Sequence, residues 1–257
     1  MFISVVLLIV SLVVLISSTH DHKSSNQEND NPIVGYEDSF DVNKASKDLP
    51  KNALEKYNKL YNINSDTVGW LKLPGTPIDL PVVQYKDNEY YKTTDFNGEN
   101  LVGFSAYADC NIELSNLPRQ TILYVASGEQ QGLINGIKDY KLFGSEQSSS
   151  DIEISEGLPM IMFGNLYEDY EWKVFACLLS DDDSDTISKL GAQELDELKA
   201  YLTSETLYDP SYIENIKSGD KLLIISLPYE DFESENFTEN KRLILVATLL
   251  DQQINDQ

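Results

Sequence analysis

The stretch Asn64-Ser-Asp-Thr-Val-Gly-Trp-Leu-Lys-Leu-Pro-Gly-Thr-Pro-Ile-Asp-Leu-Pro-Val-Val-Gln84 holds two short apolar runs, 68–73 and 80–84, parted by a Pro- and Gly-rich turn. Aromatic and β-branched side chains suit a pleated, half-buried surface, and Pro and Gly punctuate it. Working outward, the same signature recurs at 121–126, 160–163, 172–179, 221–227 and 243–249, each run bounded by Gly, Pro, Asn or Asp. That many short strands predict a mainly β fold, closed as a barrel or stacked as a sandwich. Two segments carry helical spacing instead. Over 53–61 the apolar positions 54, 57, 60 and 61 share a face before the 62–66 turn. Over 190–202, positions 190, 195, 198 and 202 predict one long amphipathic helix on the outside of the sheet.

Residues 2–16 are apolar except for Ser4 and Ser11, close to the roughly 17–25 residues that cross a bilayer. We read residues 1–19 as a signal or membrane anchor that places the remainder outside the cell, with cleavage near Ser17 and Ser18 as the alternative. Residues 20–48 are rich in Ser, Asn, Asp and Lys. They bury too little apolar surface to offset the entropy of ordering, which makes them a flexible tether. Residues 49–257 are long enough for one domain with a full core.

The formal net charge of −24 excludes nucleic acid and anionic polymers as partners and favours basic partners or plain solubility. The acidic cluster Asp181, Asp182, Asp183 and Asp185 reads as a solvated loop, with weak Ca²⁺ binding as the alternative. No metal site and no cofactor are expected. The chain has two histidines, His20 and His22, so nothing from Lys23 onward offers an imidazole for acid–base work or metal ligation. Its two cysteines, Cys110 and Cys177, have no CxxC or Cys/His spacing of a zinc site. Cys177 lies in the apolar run 172–179 and reads as a buried small hydrophobe. Cys110, between Asp109 and Asn111, is the better candidate for a reactive thiol, and sequence leaves open whether the two are bonded.

Residues 64–84, continued by Asp87-Asn-Glu-Tyr-Tyr91 and Asp95-Phe-Asn-Gly98, resemble the opening of class B sortases. The resemblance extends over 151–174, Leu195-Asp-Glu-Leu-Lys199, Gly219-Asp-Lys-Leu-Leu-Ile-Ile-Ser226 and Arg242-Leu-Ile-Leu-Val-Ala247. That family consists of membrane-anchored cysteine transpeptidases of the Gram-positive cell surface. The resemblance implies an eight-stranded β-barrel with N-terminal helices and one long external helix.

The family's chemistry rests on a histidine, a cysteine and an arginine, and each position is matched separately. The histidine follows a Thr-Ile-Ile-Tyr strand, and Thr121-Ile-Leu-Tyr124 leads here to Ala126. The cysteine ends a Leu-Ser-Thr-Cys strand, and Ile225-Ser-Leu-Pro228 places Pro228 there. The arginine opens the last strand and is present as Arg242 in Asn240-Lys-Arg242. In such an enzyme a thiolate attacks a peptide carbonyl, an imidazolium protonates the leaving amine and a guanidinium binds backbone oxygens or the oxyanion. Proline has no nucleophile and alanine no proton, so no competent catalytic set is expected. Arg242, with Ser226 two positions before Pro228 on the same strand face, is the candidate for binding peptide. The plainer reading of Arg242 is a surface charge kept for solubility or an ion pair. The expectation is a non-catalytic, sortase-like cell-surface protein that binds a sorting-signal peptide, a surface protein or an active sortase. The alternative is a transpeptidase or peptidase using unconventional residues, Ser226 among them.

Overall fold

The computed structural model describes residues 48–128, 160–228 and 241–250, apart from Gly75, Pro77, Val102, Asp182 and Gln193. The anchor at 1–19, nearly all of the tether at 20–48, and His20 and His22 lie outside the described residues. So do 151–159 of the sequence match. Among the described residues no helix is long and apolar enough to cross a membrane.

Eight strands close into a barrel: β1 (Thr67–Lys72), β2 (Asp79–Val83), β3 (Phe104–Ala108), β4 (Gln120–Ser127), β5 (Met160–Asn165), β6 (Glu171–Ser180), β7 (Leu222–Pro228) and β8 (Arg242–Leu249). Their order around the barrel is β1-β2-β3-β4-β7-β8-β6-β5. The β2–β3 and β4–β7 joints are parallel and the rest antiparallel. Closure removes the unpaired edges that an open sheet must protect.

Side-chain alternation divides the core in two. Leu223, Ile225 and Leu227 of β7 point into the barrel with Leu123, Val125, Phe163, Trp172, Leu243 and Leu245. Leu222 and Ile224 point outward with Ile244, Val246, Phe175 and Leu178. Buried on both faces, β7 therefore reads as an apolar run interrupted only by Ser226. A bulge between Val174 and Ala176 re-phases β6, so that Phe175 and Ala176 both face outward while Cys177 returns to the interior.

The outer layer is built from α3 (Asp183–Ala192), α4 (Leu195–Glu205) and a 3-10 turn at Pro210–Asn215. The single helix expected over 190–202 is therefore two. Glu194 takes extended backbone between them, and each segment brings its own apolar pair to the sheet, Ile187 and Leu190 from α3, Leu198 and Leu202 from α4. The acidic cluster is likewise not simply a loop: Asp183 and Asp185 form the first turn of α3, where the helix dipole favours negative charge. At the N-terminal side a 3-10 turn (Glu55–Tyr57) runs into α1 (Asn58–Ile63), two residues beyond the expected end, with Tyr57, Leu60 and Ile63 buried. β3 and the short helix α2 (Tyr90–Thr93) were not expected from local pattern; β3 is Phe-Ser-Ala-Tyr-Ala, without a β-branched residue.

Both cysteines carry free thiols. Cys177 is fully buried, and burial pushes its pKa from 9.0 up to about 12. Cys110 is half-buried, its N–H donating to Asn88 Oδ1. In the folded chain a thiol reagent should label Cys110 and leave Cys177 untouched until unfolding; equal labelling rates would contradict the packing. The thiol's folded pKa lies above its unfolded value, so its contribution to stability is full below about pH 9 and is lost as pH rises toward 12.

Gly69 of β1 faces the β5 backbone so closely that a Cβ would run into the Gly164 carbonyl. At Gly103 an added Cβ would meet nothing. Gly69→Ala should cost at least about 1–3 kcal/mol by overpacking, and Gly103→Ala should be near neutral. Denaturant unfolding of the two variants checks the β1–β5 register, and equal midpoints would refute it.

Candidate functional site

Three neighbouring strands end or begin at one point of the barrel. β4 pairs with β7 in the register Tyr124↔Ser226, which two more residues carry to Ala126 beside Pro228. Across β7, Pro228 stands opposite Arg242, the first residue of β8. On the other flank Ala126 pairs with Ser105 of β3. The positions singled out in sequence are thus brought together, with Ala126 and Pro228 buried and Arg242 partly exposed.

Arg242 lies on the outward face with Ile244 and Val246, and its side chain folds back over β7. Its Nε donates to Ser226 Oγ at 2.8 Å. Its Nη2 donates to the Val125 carbonyl at 2.8 Å and to the Ser226 carbonyl at 2.9 Å. Ser226 is fully buried, and its hydroxyl donates to Asp183 Oδ2 at 2.7 Å. The same oxygen stands 3.4 Å from Arg242 Nε, so α3 delivers a counter-ion to the site. Burial lowers the guanidinium's pKa, while Asp183, Tyr107 and Tyr124 act in the opposite direction. Starting from so high a value, the group stays charged at neutral pH.

A second polar set adjoins this one. Tyr107 and Tyr124 stack with ring centroids 5.2 Å apart. Tyr124 Oη donates to Asp109 Oδ2 at 3.1 Å, and Asn88 Nδ2 donates to the same oxygen at 2.8 Å. Burial, then the carboxylate of Asp109, raises the Tyr124 pKa, and burial raises that of Tyr107. Both phenols remain neutral hydrogen-bonding groups throughout the physiological range.

Ala126 and Pro228 put neither a proton nor a nucleophile at this junction. The Ser226 hydroxyl bonded to Asp183 has the partners of a serine–carboxylate pair, yet full burial keeps Oγ from any substrate carbonyl. Cys110 is remote from the junction along the strand: the preceding N–H, of Asp109, bonds the Ile122 carbonyl, four residues back from Ala126. Among the described residues no group of three or more His, Cys, Asp or Glu is arranged to hold a metal ion. The residue that sequence reasoning missed is Asp183, absorbed there into an acidic loop. No local pattern marked it, because its contact with Ser226 joins residues 43 positions apart.

No family model matches the chain. Sortase B of Staphylococcus aureus (strain NCTC 8325 / PS 47) is 30% identical over 206 residues, 76% of this chain and 75% of that protein. Sortase B of Listeria monocytogenes serovar 1/2a is 26% identical over 196 residues, 76% of this chain and 74% of that protein. Among solved structures, Staphylococcus aureus Sortase B superposes with a TM-score of 0.56 at 27% identity, covering 76% of this chain and 86% of its own. A mutant form of Clostridium perfringens sortase B gives 0.57 at 22% identity, covering 77% and 87%, a likeness of fold. Sequence identity over three-quarters of both chains and a shared eight-stranded barrel lead to one conclusion: the chain belongs to the sortase B family.

Proposed function

We propose that this protein is a non-catalytic sortase: a peptide-binding barrel held at the outer face of the membrane by residues 1–19, across the tether at 20–48. One observation carries the reading. The register Tyr124↔Ser226, extended by two residues, brings Ala126 beside Pro228 where the family's acid and nucleophile are expected, and Pro228 stands opposite a retained Arg242. Without a thiolate or imidazole the groove has no covalent step to offer, but its hydrogen-bonding groups remain. Its occupant is an extended peptide: a sorting signal, a segment of a surface protein or part of an active sortase.

In this reading Arg242 meets the ligand through Nη1, the nitrogen not used in the bonds to Ser226 and Val125. Ser226 contributes through Arg242, because its own hydroxyl is buried between guanidinium and carboxylate. The Ser226–Asp183 bond is the observation that favours the second reading, an enzyme built on unconventional residues. Burial of Oγ weighs against it, since a nucleophile must come within about 3–3.5 Å of the carbonyl carbon.

The full-length chain in detergent, incubated with a sorting-signal peptide and an amine acceptor, should bind the peptide and leave it intact. Turnover above a buffer control that is abolished by Ser226→Ala or Cys110→Ala would establish the enzyme reading instead. Arg242→Lys keeps the charge but loses the planar fork, and should weaken peptide binding by about tenfold, within the range of hydrogen bonds to charged groups. Unchanged affinity in a titration of that variant would remove Arg242 from the binding surface.

A further inference from the structure

In a parallel ladder each strand contributes alternate residues to a given neighbour. The Leu222 N–H donates to the Arg119 carbonyl at 2.8 Å, which fixes the phase of β7 against β4. With the register Gln120↔Leu222 through Tyr124↔Ser226, the N–H groups of 224 and 226 meet the carbonyls of Thr121 and Leu123. The next in the series is the amide of residue 228, directed at the Val125 carbonyl. Residue 228 is proline and has no N–H. Val125 is fully buried, and its carbonyl nevertheless has a donor, because Arg242 Nη2 lies 2.8 Å away.

The opposite side of β7 explains how the arginine reaches it. Leu249 N–H donates to the Lys221 carbonyl, so odd-numbered residues of β7 bond to β8. Pro228 and Arg242 are therefore a pair without mutual ladder bonds, the kind whose side chains stand closest. From there the guanidinium crosses β7 and is clamped by the Ser226 hydroxyl and carbonyl, with Asp183 supplying the counter-charge.

We infer that Arg242 is the surrogate donor for the amide that Pro228 lacks, so that proline and arginine form one coupled unit completing the β4–β7 joint. The arginine is a positioning residue of the barrel, whatever the groove binds. Its retention without catalytic partners then has a physical cause independent of any ligand. A ligand meets a guanidinium pinned to the groove floor, and any residue with an N–H at position 228 unpins it. This goes beyond the peptide-binding reading and would survive its failure.

The test is a double-mutant cycle on the full-length chain in detergent, following urea unfolding of the wild type, Arg242→Ala, Pro228→Ala and the double variant. Arg242→Ala alone should reduce the folding equilibrium constant by about 100-fold, and in the Pro228→Ala background by about 10-fold less, since the new amide takes the Val125 carbonyl. Changes in the unfolded state caused by removing proline enter both arms and cancel. Should Arg242→Ala fail to accumulate, folding of the double variant is the expected rescue. Amide exchange gives a second readout: in Pro228→Ala the N–H of residue 228 should be protected like its neighbours in β7. Penalties equal within about twofold in both backgrounds, failure of both Arg242→Ala chains to fold, or an unprotected amide at 228 would each overturn the inference.

Discussion

A closed barrel depends on every strand finding a donor for each carbonyl it turns inward to a neighbour, and the β4–β7 joint is where that requirement is hardest to meet. It is parallel, its β7 side is buried on both faces, and its last rung is the peptide before a proline. An unpaired buried carbonyl costs about 1–3 kcal/mol, a large part of a domain's net stability. The Arg242 guanidinium meets the requirement from the side, at 2.8 Å from the Val125 carbonyl. Around that bond the rest of the junction is arranged: Ser226 holds the fork in plane, Asp183 balances its charge, and α3 must pack where it does to bring Asp183 within reach.

The same arrangement links fold to function in the sortase B family setting. Three strand ends converge on one outward face, so a barrel of this topology offers three adjacent side-chain positions at one junction. In this chain they are Ala126, Pro228 and Arg242. Two are inert and buried. The third is engaged with its own backbone, yet it keeps one nitrogen outside those bonds. Charge distribution follows from the same geometry: Asp183 stands 3.4 Å from the Arg242 Nε, so the guanidinium presents shape and hydrogen-bond direction more than net positive charge.

Most of the barrel was legible in sequence because the strands are short, rich in β-branched and aromatic residues, and cut by Gly, Pro and Asn. β7 stood out as an apolar run broken only by Ser226, since both its faces are covered. β3 was not legible, because in Phe-Ser-Ala-Tyr-Ala two aromatic residues are diluted by Ser and two Ala with no β-branched residue, and pairing with neighbours on both sides holds it extended. The outer helices were merged into one because Leu195, Leu198 and Leu202 continue an apolar face that Leu190 borders; extended backbone at Glu194 separates them. At the site, flanking strand motifs singled out positions 126, 228 and 242, and the registers of β4, β7 and β8 bring those positions to one junction. Asp183 could not, since a contact between residues 43 positions apart in sequence leaves no local pattern. The Val125 carbonyl was equally invisible, for it becomes an issue only once the register of β4 against β7 is known.

A guanidinium fixed to the barrel is directly observable, because the chain has two arginines, Arg119 and Arg242. Nitrogen NMR of the guanidinium groups in the detergent-solubilised full-length chain should give separate, slowly exchanging Nη2 protons for Arg242, with a scalar coupling to the Val125 carbonyl, and averaged signals for Arg119. Averaged, rapidly exchanging signals for both arginines would mean that Arg242 swings free, and the coupled unit with Pro228 would not exist.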